Sequence, residues 1–103
     1  MTRMYIVYTL KPEADFRRAV ELLQKTQDEL PEGVFQQISR RSEQGLQEAI
    51  PWMPFGDLVQ ILDFPETRQA LEFEDSPAYQ AQKERTRGLF SNVAAINCPI
   101  IDP

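Results

Sequence analysis

Residues 57–90 read DLVQILDFPETRQALEFEDSPAYQAQKERTRGLF and decide the fold. The first eight, residues 57–64, form a short apolar run bounded by glycine and proline, which is typical of a β-strand. Residues 66–73 predict a short helix. A second helix is predicted from Ser76 and Pro77, since serine is a favoured N-cap and proline fits the first helical position. This segment therefore predicts a strand, a short helix, a break and a second helix.

A similar strand-and-helix unit opens the chain. Residues 4–10 are β-branched and aromatic on both faces, which favours a central strand that is covered on both sides. From Asp15 to Leu30 apolar residues recur at helical spacing, which predicts an amphipathic helix of about four turns. Residues 34–39 mix apolar and polar side chains and predict an edge strand, and residues 93–98 predict the last strand.

The predicted order is β-α-β-β-α-β. Right-handed crossovers then give a four-stranded antiparallel sheet with the first and third strands in the middle. The third strand places apolar side chains on both of its faces, with Leu58, Leu62 and Phe64 on one and Val59 and Ile61 on the other. We therefore expect one α+β domain over residues 1–103, a ferredoxin-like sandwich whose second helical region is broken near Ser76.

Such a sandwich predicts a homodimer. The helices cover only one face of the sheet, so the other face would carry apolar side chains from both central strands. An exposed apolar patch that spans two strands is unusual on a stable monomer. A second copy that packs its own sheet face against this one, with two-fold symmetry, would cover it. We therefore expect the chain to dimerise through the sheet face.

Composition narrows the possible functions. The net charge is −5 and no lysine and arginine cluster outweighs it, so we expect no nucleic-acid partner. With no histidine and a single cysteine, Cys98, we expect no transition-metal site and no bound cofactor. No segment resembles a signal peptide or a membrane span. We expect a soluble cytoplasmic protein that does not bind membranes.

Three short stretches carry a family resemblance: LVQILDFP at 58–65, ALEF at 70–73 and DSPAYQAQK at 75–83. Through them the chain resembles the dimeric α/β-barrel superfamily, which includes antibiotic-biosynthesis monooxygenases and several small families of unknown function. The resemblance covers the second half clearly and the first half by pattern only. It implies a ferredoxin-like dimer with a ligand pocket between helix and sheet. Monooxygenases of this group often carry a pocket histidine, which this chain lacks.

The helix that starts at Pro77 is the first candidate for a site. It has no apolar stripe, because Tyr79, Gln82, Lys83 and Thr86 share one side. Such a side either lines a polar pocket between helix and sheet or belongs to a short surface helix. In the pocket interpretation Tyr79 and Lys83 reach a ligand; otherwise Tyr79 is a core residue.

Two aromatic residues, one of two tyrosines and one aspartate are further candidates for the pocket. Trp52 and Phe55 would act either as a lid over the pocket or as a dimer contact. Tyr5 and Tyr8 lie on opposite faces of the first strand. The one that faces the helices, for which we take Tyr8, either contacts a ligand or packs in the core with its hydroxyl satisfied. Asp63 either marks the exposed end of its strand or, if enclosed, has a raised pKa and serves as a base.

Two classes of function remain open. One is a cofactor-independent enzyme of the monooxygenase, isomerase or cyclase type that acts on a small apolar or aromatic metabolite. The other is a non-enzymatic dimeric module for ligand binding or protein interaction. A pocket of a few hundred Å³ with converging polar groups would favour the enzyme, and a filled core would favour the module.

Overall fold

A computed structural model describes residues 1–40 and 56–99. The predictions for Trp52 and Phe55 lie outside the described residues. The strands and α-helices are β1 (Thr2–Leu10), α1 (Phe16–Gln24), β2 (Phe35–Arg40), β3 (Leu58–Phe64), α2 (Thr67–Glu72), α3 (Pro77–Arg85) and β4 (Phe90–Pro99). One 3₁₀ turn (Lys25–Glu29) follows α1, and another (Phe73–Asp75) joins α2 to α3.

The sheet has the order β2-β3-β1-β4, and every neighbouring pair is antiparallel. The strands that are apolar on both faces, β1 and β3, lie in the middle, and the mixed strand β2 lies at an edge. This confirms the predicted α+β ferredoxin-like fold. In register, Tyr8 lies opposite Leu58, and Tyr5 lies opposite Ile61.

Two elements differ in length from the prediction. The first α-helix ends at Gln24, and the chain continues as a 3₁₀ turn that places Thr26 fully inside the protein. A β-branched threonine is a weak α-helix former, and here its hydroxyl hydrogen bonds in the core. The last strand begins at Phe90, earlier than the predicted start at Val93, because β4 pairs along all of β1, from Leu10 with Phe90 to Thr2 with Pro99.

The break in the second helical region is built as predicted. Ser76 caps α3, since its Oγ accepts a hydrogen bond from the Tyr79 backbone N–H at 3.2 Å. The same hydroxyl donates to the carbonyl oxygen of Phe73 at 2.6 Å, and Pro77 occupies the first turn of α3. One serine therefore ends the preceding 3₁₀ turn and starts the next helix.

The core lies between the sheet and the helices. Alternate side chains of the central strands face the helices and are buried: Met4, Ile6, Tyr8, Leu58, Gln60, Leu62 and Phe64. They meet the buried residues Ala19, Leu23, Ala70, Phe73 and Ala78 from the helical side. Gln60 is the one polar side chain that β3 contributes to this layer.

The other face of the sheet carries the remaining side chains of the same strands. Phe35 is 68% exposed there, and a row of partly buried residues crosses the central strands and β4: Tyr5, Val59, Ile61, Ala94 and Ile96. Cys98 is also on this face and is half-buried, not part of the core. Across residues 1–40 and 56–99, no helix is long and apolar enough to span a membrane.

Candidate functional site

A cavity of about 320 Å³ lies between α3 and the β1–β4 side of the sheet. Its lining includes Tyr8, Phe90 and Val93 from the sheet and Tyr79, Gln82 and Lys83 from α3. This volume is at the lower end of the range typical of small-molecule sites.

The cavity exists because the helices do not reach the edge strand β4. The β4 residues that point to the helix side are all exposed: Val93, Ala95 and Asn97. The side chains opposite them on β1 are buried. Val93 itself is 44% exposed. The space beside Tyr8 is thus open on the β4 side and closed by β1 and α3 on the others.

Helix α3 turns small and polar side chains to the sheet. Its buried positions are Ala78 and Gln82, and Thr86, which caps its C-terminus four residues after Gln82, is buried as well. Gln82 is only 1% exposed. The Thr86 hydroxyl donates to the Gln82 main-chain carbonyl at 2.8 Å. Of the polar side predicted for this helix, Gln82 and Thr86 therefore face inward, whereas Tyr79 is half-buried and Lys83 is exposed at the rim of the cavity.

Two buried glutamine side chains, Gln60 of β3 and Gln82 of α3, form a reciprocal amide pair. Gln60 Nε2 donates to Gln82 Oε1 at 2.7 Å, and Gln82 Nε2 donates to Gln60 Oε1 at 3.1 Å. A buried amide without partners costs free energy, and this pair satisfies part of both at once. It connects the last helix directly to the centre of the sheet.

The phenol of Tyr8 lies on the cavity side of the glutamine pair and hydrogen bonds to both amides. Its hydroxyl donates to Gln60 Oε1 at 2.6 Å and accepts from Gln82 Nε2 at 2.7 Å. Burial raises the pKa of Tyr8 well above that of a free phenol; nearby Tyr79 raises it further, and the bond from Gln82 lowers it slightly. Tyr8 therefore stays neutral at physiological pH.

The far side of the pair is anchored by a charged group. The Thr26 hydroxyl donates to Gln82 Oε1 at 2.7 Å and accepts from the Arg85 guanidinium at 3.1 Å. Arg85 is held in turn by an ion pair with Glu29. On the β2 side, Gln36 Oε1 accepts from Gln60 Nε2 at 2.6 Å.

Aromatic rings and one ammonium group form the rest of the wall. The rings of Tyr8 and Phe90 pack with centroids 4.5 Å apart, and Tyr79 packs on Phe73 at 5.1 Å. The Lys83 Nζ lies 5.2 Å from the Tyr79 ring centroid, at a distance that allows a cation–π contact. Burial, and then Glu74, raises the pKa of Tyr79. The wall thus combines an apolar, aromatic surface with a cation at its rim.

The structure brings three of the predicted residues, Tyr8, Tyr79 and Lys83, to one cavity. Asp63 lies on the opposite face of the sheet, where Arg3 binds its two carboxylate oxygens at 2.8 and 3.1 Å. That pairing raises the pKa of Arg3. Within residues 1–40 and 56–99, no three histidine, cysteine, aspartate or glutamate side chains cluster in a way that could hold a metal ion.

Gln60, whose side-chain amide pairs with that of Gln82, is not among the residues that the sequence analysis proposes for the site. Gln82 enters them only as part of the polar side of its helix. A signal for Gln60 does exist, because it occupies the inward row of β3 between Leu58 and Leu62. A lone polar residue in a buried row must find a partner, although the sequence does not say where.

No family model matches the sequence, and no curated protein matches it. Solved structures do match. One is a dimeric ferredoxin-like protein of unknown function from Thermobifida fusca YX, with a TM-score of 0.69 and 11% identity over 96% of this chain and 90% of that one. Another is a DABB family protein with a ferredoxin-like fold from Mesorhizobium loti, with a TM-score of 0.66 and 15% identity over 98% and 97%.

A third similar structure is a putative antibiotic biosynthesis monooxygenase from Nitrosomonas europaea. Its TM-score is 0.64 at 7% identity, over 99% of this chain and all of that one. These similarities confirm the ferredoxin-like fold that the sequence resemblance implies. Sequence identities this low show the shared fold and leave the function to the site itself.

The raised pKa of Tyr8 predicts alkaline destabilisation. The unfolded chain releases this proton near pH 10, whereas the folded protein retains it to higher pH. The contribution of Tyr8 to stability is therefore complete below about pH 10 and falls above it, by about 1.4 kcal/mol per pH unit. The free energy of unfolding, measured with urea between pH 9 and 11, should fall with pH in both proteins. Above about pH 10 its fall per pH unit should be smaller by this amount in Tyr8→Phe than in the wild type. Equal slopes would mean that the Tyr8 phenol is not buried.

Proposed function

We propose that the chain binds a small, largely apolar or aromatic metabolite in the cavity between α3 and the sheet. The observation that carries this proposal is the composition of the wall, where the rings of Tyr8, Tyr79 and Phe90 surround the space beside the buried glutamine pair. Most ligand sites have this character: an apolar lining with a few fixed polar groups. Trp52 and Phe55 remain candidates to close the mouth or to contact a partner.

The favoured activity is that of a cofactor-independent enzyme of the monooxygenase, isomerase or cyclase type. Lys83 would stabilise negative charge that develops on a substrate oxygen, and the neutral Tyr8 would fix the orientation of the substrate. The shared fold with the putative antibiotic biosynthesis monooxygenase of Nitrosomonas europaea supports this choice.

Non-enzymatic binding is the second candidate, and one observation favours it. The Tyr8 hydroxyl is engaged in two hydrogen bonds and its pKa is raised away from neutrality, so it is unsuited to rapid proton exchange at pH 7. In a protein that only binds its ligand, the Tyr8 hydroxyl has to orient the ligand and does not have to exchange a proton with it. Native mass spectrometry of freshly purified protein would identify a bound molecule, and incubation with that molecule would show whether it is converted.

We also propose that the chain is a homodimer whose two copies meet through their open sheet faces. Phe35 is largely exposed on this face, and the same face carries the side chains of Tyr5, Val59 and Ile61. The Arg3–Asp63 pair supplies polar groups to the same face. The similar protein from Thermobifida fusca is dimeric, which supports the same assembly here.

An anionic, aromatic probe tests the cavity. We expect 8-anilinonaphthalene-1-sulfonate to bind with one site per chain, because its rings suit the wall and its sulfonate suits Lys83. Lys83→Met should weaken binding by about 1 kcal/mol, roughly fivefold in Kd, as measured by fluorescence titration. Lys25→Met changes an exposed lysine elsewhere and is the matched control. Equal affinity in wild type and Lys83→Met would argue against the cavity as the binding site.

The dimer is tested by a charge on the open face. Ile61→Lys should give a monomer or an aggregate in sedimentation at micromolar concentration, because an unpaired charge buried in an interface costs several kcal/mol. Leu71→Lys is the matched control, since Leu71 is 68% exposed on the helical side. The wild type and this control should sediment at twice the chain mass. A wild type that sediments only as a monomer would refute the dimer.

A further inference from the structure

The direction of every hydrogen bond around the Gln60–Gln82 pair is set by groups that can act in only one sense. An arginine guanidinium only donates, and a main-chain carbonyl only accepts. The main-chain carbonyls of Leu23 and Gln24 are such groups and lie at the β2 end of the network, and Arg85 lies at its helical end. Both ends can be followed inward to the cavity.

From the helical end, Arg85 donates to the Thr26 hydroxyl at 3.1 Å, so Thr26 must use its single hydrogen elsewhere. That hydrogen goes to Gln82 Oε1 at 2.7 Å. The oxygen of the Gln82 amide faces Thr26 and also accepts from Gln60 Nε2 at 2.7 Å, so its nitrogen faces Tyr8. Gln82 Nε2 thus donates to the Tyr8 hydroxyl oxygen.

From the β2 end, Gln36 Nε2 must face the carbonyls of Leu23 and Gln24, which lie at 3.1 and 3.4 Å. Its Oε1 then faces Gln60 and accepts from Gln60 Nε2 at 2.6 Å. The amide oxygen of Gln60 is therefore turned toward Tyr8 and accepts the hydrogen of the phenol. The β2 end therefore sets the orientation at Tyr8, and the hydrogen bonds of Thr26 agree with it.

The hydrogen-bonding sites of the Tyr8 hydroxyl are then almost all occupied. Its single hydrogen is given to Gln60, and one lone pair accepts from Gln82. What is left for the cavity is the remaining acceptor capacity of the phenol oxygen. Reversing this arrangement would require turning both amides, which would place the Gln60 amide oxygen against that of Gln36, whose own orientation is fixed by the main-chain carbonyls.

We propose that Tyr8 acts toward a ligand only as a hydrogen-bond acceptor, so the cavity selects molecules that present a hydroxyl or N–H group to it. This inference rests on the proposed function. With Lys83 at the rim, the preferred class is an aromatic hydroxy acid or a related hydroxy-carbonyl compound, which pairs its donor with Tyr8 and its anionic or carbonyl oxygen with Lys83.

Three fluorescent acids of similar shape test the proposal: 6-hydroxy-2-naphthoate, 6-methoxy-2-naphthoate and 2-naphthoate. The hydroxy acid alone can donate at the ring, so the wild type should bind it about tenfold more tightly than either of the others. In Tyr8→Phe the preference should fall to within about twofold. Equal binding of all three acids by wild type would overturn the acceptor assignment and leave the pocket standing. Binding of none of them would overturn the pocket for this class as well.

A second measurement needs neither a ligand nor a variant. In nuclear Overhauser spectra of the wild-type protein, the side-chain amide protons of Gln82 should contact the Tyr8 ring protons. In the reversed orientation they would contact the Thr26 methyl group instead. Amide contacts to Tyr8 support the proposal, and amide contacts to Thr26 without contacts to Tyr8 would overturn it.

Discussion

The candidate site depends on one interaction, the buried amide pair of Gln60 and Gln82. Two uncharged amides are costly in a core unless each of their donors and acceptors has a partner. Here Tyr8, Thr26 and Gln36 supply the partners that the pair does not supply to itself. These residues come from β1, the 3₁₀ turn after α1, and β2, so the pair is satisfied only when all of those elements are in place.

The pair also explains the shape of the cavity. A helix with a full apolar stripe would pack closely against the sheet and fill the space beside Tyr8. Helix α3 instead contacts the sheet through Ala78 and Gln82, which are small or polar. Because β4 is an edge strand that the helices leave uncovered, space remains between it and Lys83. An open, partly polar cavity follows from the way this helix is held.

Much of the fold could be predicted from the sequence because it depends on local patterns. The apolar runs on both faces of β1 and β3 place those strands in the centre, and Ser76 with Pro77 marks the break between helices. The early end of α1 escaped prediction, because Thr26 is drawn inward by a partner that is distant in sequence.

The site was predictable only in part. Tyr8, Tyr79 and Lys83 follow from strand alternation and from the polar side of α3, and all three line the cavity. Gln60 escaped because it stands in an apolar run and its partners lie 22 and 52 residues away. Asp63 was a candidate only if enclosed, and the antiparallel register of β1 and β3 places it beside Arg3 on the other face.

A double-mutant cycle on Gln60→Leu and Gln82→Leu tests the central claim most directly. Each single change leaves buried polar groups without a partner and should lower the free energy of unfolding by about 1–3 kcal/mol. The double variant removes both amides together. Its loss should be smaller than the sum of the single losses by 1 kcal/mol or more, on the order of other directly contacting pairs. Losses that add to within about 0.5 kcal/mol would contradict the account, because residues that do not interact behave in that way.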